Sequence, residues 1–287
     1  MDAGTDHGMS RACPNLGPMA TLAELLADLD DEYADCRGLV GSLATGAPEW
    51  DRPTPAQGWA VRDQVSHLAY FDDAARLAMV APEEFSLVAE EALSIDGDPM
   101  EAHLVRGRSL GGDALLAWWD EAHTGMMAAF AGADPTTRVP WFGPPMGVLS
   151  FVSARLMETW AHGLDVADAL GVRREPSQRL RHVAHLGVRA RPFSYLVRGR
   201  DVPPGRIDVD LRSPTGESWT WTVGAFDGGE SVSTVEGSAF DFCLVVTQRR
   251  NVADTGLEIR GEPAADWMSV AQAFAGPPGP GRPAVRR

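Results

Sequence analysis

Three residues in this 287-residue chain have the types and spacing to share one metal ion. Glu158 and His162 stand four apart in Met157-Glu158-Thr159-Trp160-Ala161-His162-Gly163-Leu164-Asp165. On a helix both side chains leave the same face, with Cβ atoms about 5–6 Å apart. His67 lies in a second helical pattern, Trp59-Ala60-Val61-Arg62-Asp63-Gln64-Val65-Ser66-His67-Leu68-Ala69, flanked by apolar residues. Two imidazoles and a carboxylate from two helices form a three-ligand set of the kind catalytic zinc sites use, leaving a fourth position for water or substrate. Zinc is the first expectation; iron, nickel and cobalt accept the same donors. Each residue also has a plainer reading. His67 alone suits a core histidine satisfied by a carbonyl, and Glu158 with His162 suits a surface pair worth roughly 0.2–0.5 kcal/mol.

The remaining polar and aromatic candidates are weaker. Asp165, one turn beyond His162, is either an acceptor that orients a ligand imidazole or a solvated carboxylate near a helix end. Asp63 reads as a helix-dipole residue. Trp59 and Trp141, both on loops, are candidates to line a pocket, whereas Trp160 belongs to a core. His182 and His185 read as a solvent-facing pair, and His103 and His123 as helix residues without a matching partner. Cys243, between Phe242 and Leu244, reads as an inert buried thiol.

Composition narrows the function classes. The formal charge of -15 argues against nucleic acid and anionic membrane as partners, because both are bound through excess basic residues. Lysine is absent, and with abundant Ala, Gly, Pro and Asp this matches the codon bias of a GC-rich genome. Three scattered cysteines, Cys13, Cys36 and Cys243, form neither a disulfide framework nor a Cys-x-x-Cys site, which fits a reducing cytoplasm. Residues 1–18 lack the apolar stretch of a signal peptide and read as a disordered leader. No apolar run reaches the ~18 residues a bilayer span needs.

Periodicity then places the candidates. Leu22, Leu25, Leu26, Leu29, Tyr33, Cys36 and Val40 predict a first helix over Met19–Leu43. Proline and glycine make Thr45–Trp59 a loop. A second helix, Val61–Val80, carries His67 and is stopped by Pro82. A short helix at Glu83–Leu93, an Asp98-Pro99 helix start and a third long region to Phe130, interrupted at Gly111-Gly112, follow. After a loop over Asp134–Gly147, a fourth helix covers Gly147–Leu170 with Gly171 as its C-cap. Pro176 opens a fifth, kinked at Pro192, that runs to Val197. The period then changes from helix to strand: Ile207–Leu211, Trp219–Val223, Val232–Val235 and Leu257–Ile259 predict strands, with helices at Gly237–Thr247 and Asp266–Phe274. Gly276–Arg287 reads as a disordered Pro-rich tail. The fold class is therefore α+β, with a helix bundle over residues 19–200 and a small α+β domain over 205–275.

The segments Gly58–Ala69 and Glu158–Val166 together resemble the actinobacterial DinB-like metalloproteins that include mycothiol-dependent maleylpyruvate isomerase. The likeness covers nearly the whole chain, and the second domain is similar to the sterol-carrier-like domain of those isomerases. It implies a metal triad of His67, Glu158 and His162, a divalent ion facing a cleft between the halves, and mycothiol as co-substrate. It also implies a functional arginine in the C-terminal domain, for which Arg249 and Arg250 are the candidates. The expected activity is that of a metal-dependent isomerase or thiol transferase acting on a small electrophile, by a monomer or a homodimer. Two alternatives stay open: a metal-containing carrier of a small apolar ligand, and a hydrolase using metal-activated water.

Overall fold

The computed structural model describes residues 20–94, 101–224, 233–276, 278–279 and 281–285. Helix α1 (Leu22–Val40) begins at a capping box in which the Thr21 hydroxyl accepts from the Glu24 amide and the Glu24 carboxylate accepts from the Thr21 amide. Helix α2 (Val61–Val80) carries the acidic half of the same device, since Asp63 accepts from the Ala60 amide at 2.8 Å. Asp63 is also buried against Arg108 at 2.9 Å, so it does more than answer a helix dipole. Helices α3 (Pro82–Ser94), α4 (Glu101–Ser109) and α5 (Gly112–Phe130) follow. The expected start at Asp98-Pro99 lies outside the described residues, while the break near Gly111 separates α4 from α5.

The loop expected over Asp134–Gly147 contains a two-residue antiparallel pair, β1 (Arg138–Val139) and β2 (Met146–Gly147). It leads into α6 (Val148–Leu170), which is buried along most of its length and on every side. Such a helix lies inside a protein, with others around it. Gly171 ends it in the left-handed region, at φ 70°, where an L side chain would be strained. The predicted fifth helix is two: α7 (Leu180–Arg189) and α8 (Arg191–Leu196), parted at Ala190 because Pro192 fits only the first turn of a new helix.

The C-terminal half holds β3 (Ile207–Arg212), β4 (Ser218–Val223), β5 (Ser233–Ser238), α9 (Ala239–Val246), β6 (Glu258–Arg260) and α10 (Glu262–Val270). Val232, expected to open a strand, lies outside the described residues. The sheet order is β4-β3-β5-β6, antiparallel except for the parallel β3/β5 pair. Val209 stands opposite both Trp221 and Val235, and these buried residues make one apolar face. The closing helix starts at Glu262 rather than Asp266, because Gly261 turns the chain at φ 82° and Pro263 suits the first turn. One continuous core runs from α1 and α6 through α7 into the sheet and α9, with Trp160 edge-on to Phe240. A second cluster joins α1, α2 and α5 around Trp50 and Trp119.

The tail is not the detached segment its composition suggests. Arg282 pairs with Asp165 and Asp168 of α6, Asn251 donates to the Arg282 carbonyl, and the Val285 amide donates to Asp254.

Two buried charges fix α2 against α6: Arg155 donates through Nε at 3.2 Å and Nη2 at 2.9 Å to Asp72 Oδ1, with both side chains under 5 % exposed. Removing one partner of such a pair strands the other in a low-dielectric interior and costs about 3–5 kcal/mol. Arg155→Ala is therefore expected to lower stability by about that much in urea titration, with Asp72→Leu/Arg155→Met regaining most of it. A single-variant loss below about 1 kcal/mol would contradict the clamp.

Candidate metal centre

His67 extends from α2, and Glu158 and His162 from α6, so that one ligand atom of each lies within 4.8 Å of the others. The imidazole centroids of His67 and His162 are 4.4 Å apart. His162 Nε2 faces Glu158 Oε2 at 3.2 Å. Burial pushes the Glu158 carboxyl up, but the His162 ring and the charges of Arg155 and Arg249 outweigh it and hold the group below the ordinary carboxylate range. The centre keeps an anionic donor at neutral pH.

What orients His162 is Gln64, one turn before His67 on α2. Its Oε1 lies 2.5 Å from His162 Nδ1. Gln64 Nε2 donates to Thr54 Oγ1 at 2.8 Å, and Thr54 Oγ1 donates to the Trp59 carbonyl at 2.9 Å. Because the amide nitrogen is committed to Thr54, the amide oxygen must accept from Nδ1–H, so Nε2 is the ring nitrogen aimed at the cluster: it donates to Glu158 when it carries a proton and offers its lone pair to a cation when it does not. A ligand imidazole whose other nitrogen donates to a fixed acceptor has its tautomer and plane set in advance. The sequence offers Asp165 for this role, with a solvated carboxylate as the plainer alternative. The structure instead gives Asp165 to Arg249, at 2.7 Å, and Arg282, at 2.7 Å, so it is neither the imidazole acceptor nor a solvated carboxylate. The signal for Gln64 was its place three residues before His67, between the apolar Val61, Val65 and Leu68; the structure buries it completely.

Trp59 and Trp141 take different positions. Trp59 stacks near-parallel on His162 at 5.9 Å and lies 5.1 Å from His67, forming a wall of the centre. Trp141 packs on Phe85, Phe151 and Phe71, and Phe71 in turn touches His67 at 4.5 Å. It supports the wall from behind.

Arg249 reaches α6 because Gln248 adopts a left-handed conformation, φ 58°, directly after α9. This is a helix-ending geometry that favours glycine, so the chain bears a local cost of about 1–2 kcal/mol at Gln248 to aim the next side chain. Arg249 then donates through Nε and Nη2 to Asp165 and through Nη1 to the Thr247 carbonyl. Arg250 is exposed, and with Arg249, Leu164 and Ala167 it lines a cleft that none of His67, Glu158 and His162 lines.

The other histidines have partners that spacing did not reveal. His182 pairs with Asp28 at 2.7 Å and His185 Nδ1 accepts from Trp221 Nε1 at 3.2 Å, so they are not a solvent-facing pair. His123 is buried, stacked on Tyr33 at 3.8 Å and paired with Asp30 at 3.0 Å. The side chain of His103 lies outside the described residues.

Residues 26–167 match the family model described as the mycothiol maleylpyruvate isomerase N-terminal domain. Two curated proteins, both named as uncharacterized and from two strains of Mycobacterium tuberculosis, are each 40% identical over 264 residues, spanning 92% of this chain and 100% of theirs. The fold is similar to the crystal structure of the mycothiol-dependent maleylpyruvate isomerase, with TM-score 0.56 and 15% identity over 84% of this chain and 93% of that one. A histidine-to-alanine mutant of that protein gives TM-score 0.54 and 16% identity over 80% and 90%. At such identity the likeness shows a shared fold.

The chain's own described thiols are withdrawn from chemistry. Burial pushes the Cys36 thiol up to about 12, and Cys243, fully buried, is also raised well above its ordinary value. In a Cys13→Ser background, the native protein at pH 8 is expected to leave both thiols unmodified by a disulfide reagent and to expose both on unfolding. Rapid modification of either in the native state would refute this burial.

Proposed function

With the chain belonging to the mycothiol maleylpyruvate isomerase family, we propose that it is a metal-dependent enzyme of the mycothiol-dependent isomerase or thiol-transferase type. The observation that carries this reading is the convergence of His67, Glu158 and His162 within 4.8 Å across two helices. The donor set fits a divalent ion of the zinc class: two imidazoles, one oriented by Gln64 so that Nε2 faces the cluster, and a carboxylate. A cation held by these three side chains would supply the positive charge that keeps a low-molecular-weight thiol deprotonated, its nucleophilic form, at neutral pH.

The protein residues supply the rest. Glu158 and the two histidines orient the thiol-binding side of the centre, and Trp59 covers one face of His162 and excludes water from it. Arg249 brings a fixed positive charge to the same stretch of α6 and is the residue proposed to hold an anionic group of the electrophile. Asp165 also pairs with Arg282, so release of Arg249 to a substrate would not leave that buried carboxylate without a partner. An isomerisation needs the sulfur to add to and then leave the same carbon, restoring the free thiol, whereas a transferase would leave it on the product. Maleylpyruvate, the compound in the name of the structural neighbours, is the first electrophile to assay. The layer between the sheet and helices of the C-terminal half gives the carrier reading no support, since Trp267, Phe242 and Val209 there are each fully buried.

Metal analysis of the purified protein is expected to find about one equivalent of a divalent transition metal, lost in Glu158→Ala and His67→Ala. Gln64→Ala is expected to lower zinc affinity by about 10–100-fold in protein that still gives the wild-type circular dichroism spectrum. With metal bound, calorimetric titration with mycothiol should show binding that disappears in His162→Ala. A wild-type protein without stoichiometric metal would overturn the reading.

A further inference from the structure

A second cleft opens on α6 away from the metal-ligand cluster. At about 100° per residue, Leu164 and Ala167 project roughly 140–160° around the helix from the mean direction of Glu158 and His162. With Phe240 and Leu244 of α9 they form the apolar floor of a cavity of about 440 Å³ between the helical and α+β halves. That volume falls within the roughly 300–1,000 Å³ typical of small-molecule sites.

The rim carries Arg173, Arg174, Arg249 and Arg250, together with Asp168. These charges are not equivalent. Arg174 is tied to Glu32 and to the Trp160 carbonyl, and Arg173 reaches Glu175. Arg249 and Arg282 answer Asp165 and Asp168. Arg250, exposed at the rim, carries the positive charge that these pairs leave uncancelled, in a chain whose net charge is -15. By contrast, the groove between α1 and α5, lined by Leu22, Leu26, Met127 and Ala131, has no charged residue in its lining.

We infer that the α6/α9 cleft is a second ligand site, separate from the metal-ligand cluster, that takes an amphipathic monoanion: an apolar body on Leu164, Ala167, Phe240 and Leu244, with its acid group at Arg250. An apolar floor with one convergent cation is the combination that distinguishes such a ligand from a neutral lipid, which forgoes the charge, and from a small inorganic anion, which forgoes the floor. The inference does not depend on the metal reading, because none of the three proposed ligands lines this cleft.

The test uses the full-length protein and anilinonaphthalene sulfonate, a fluorescent amphipathic monoanion. Saturable binding is expected with one dye per chain, displaced by decanoate but not by the same concentration of decanol. Arg250→Glu, whose side chain is outside the core and the metal-ligand cluster, is expected to weaken dye binding about ten-fold or more, as loss of a hydrogen bond to a charged group does. Ala131→Glu, which places a charge in the α1/α5 groove, and removal of divalent cations with EDTA should each leave the affinity unchanged. Arg250→Glu affinity within about two-fold of wild type would overturn the proposal. So would loss of binding in Ala131→Glu, which would put the dye in the other groove, or on EDTA treatment, which would put it at the metal-ligand cluster. Equal displacement by decanol would overturn the anionic half.

Discussion

The Asp72–Arg155 ion pair, buried on both sides, is the constraint from which the candidate centre follows. Burying two charges is costly, and the attraction between them repays that cost only in a narrow geometry. Here the guanidinium gives two donors to one carboxylate oxygen, and the other oxygen faces His123 Nδ1 at 3.8 Å. A single register of α2 against α6 satisfies these groups. The helices run antiparallel, so moving back along α2 from Asp72 means moving forward along α6 from Arg155. One to two turns on, His67 meets Glu158 and His162; a turn further, Gln64 meets the far nitrogen of His162. A rotation of either helix that separated the imidazoles would also break the ion pair.

The C-terminal half is coupled to this helix pair through electrostatics as well as through the shared core. Asp165 lies on α6 one turn past His162, and two guanidinium groups from far along the chain converge on it. One arrives by way of the strained Gln248, the other on a segment that composition marks as mobile. Arg249 is thereby held near Glu158, where its charge adds to the larger effects of His162 and Arg155 that lower that carboxyl. The α+β half does not need to reach the ligands to affect their chemistry.

Local pattern made the helices and the candidate cluster legible. The period of apolar residues marked α2 to the residue and α6 to within one, and a four-residue spacing on one face joined Glu158 to His162. That His67 faces them was an inference from residue type, and only tertiary packing realises it. The partners of the polar residues could not be read in the same way. Gln64, Arg282 and Asp28 act across separations of 98, 117 and 154 residues. Periodicity reports which face of an element is apolar, not which charge on another element will meet a given side chain. Composition misled most at the tail, because a Pro/Gly-rich segment predicts a disordered chain only where it has nothing to bind.

X-ray absorption at the zinc edge, on zinc-loaded protein with no added thiol, tests the central claim most directly. The account predicts an inner shell of light atoms at about 2.0–2.2 Å with the multiple-scattering signature of two imidazoles. A sulfur shell at about 2.3 Å, or the absence of imidazole scattering, would contradict it.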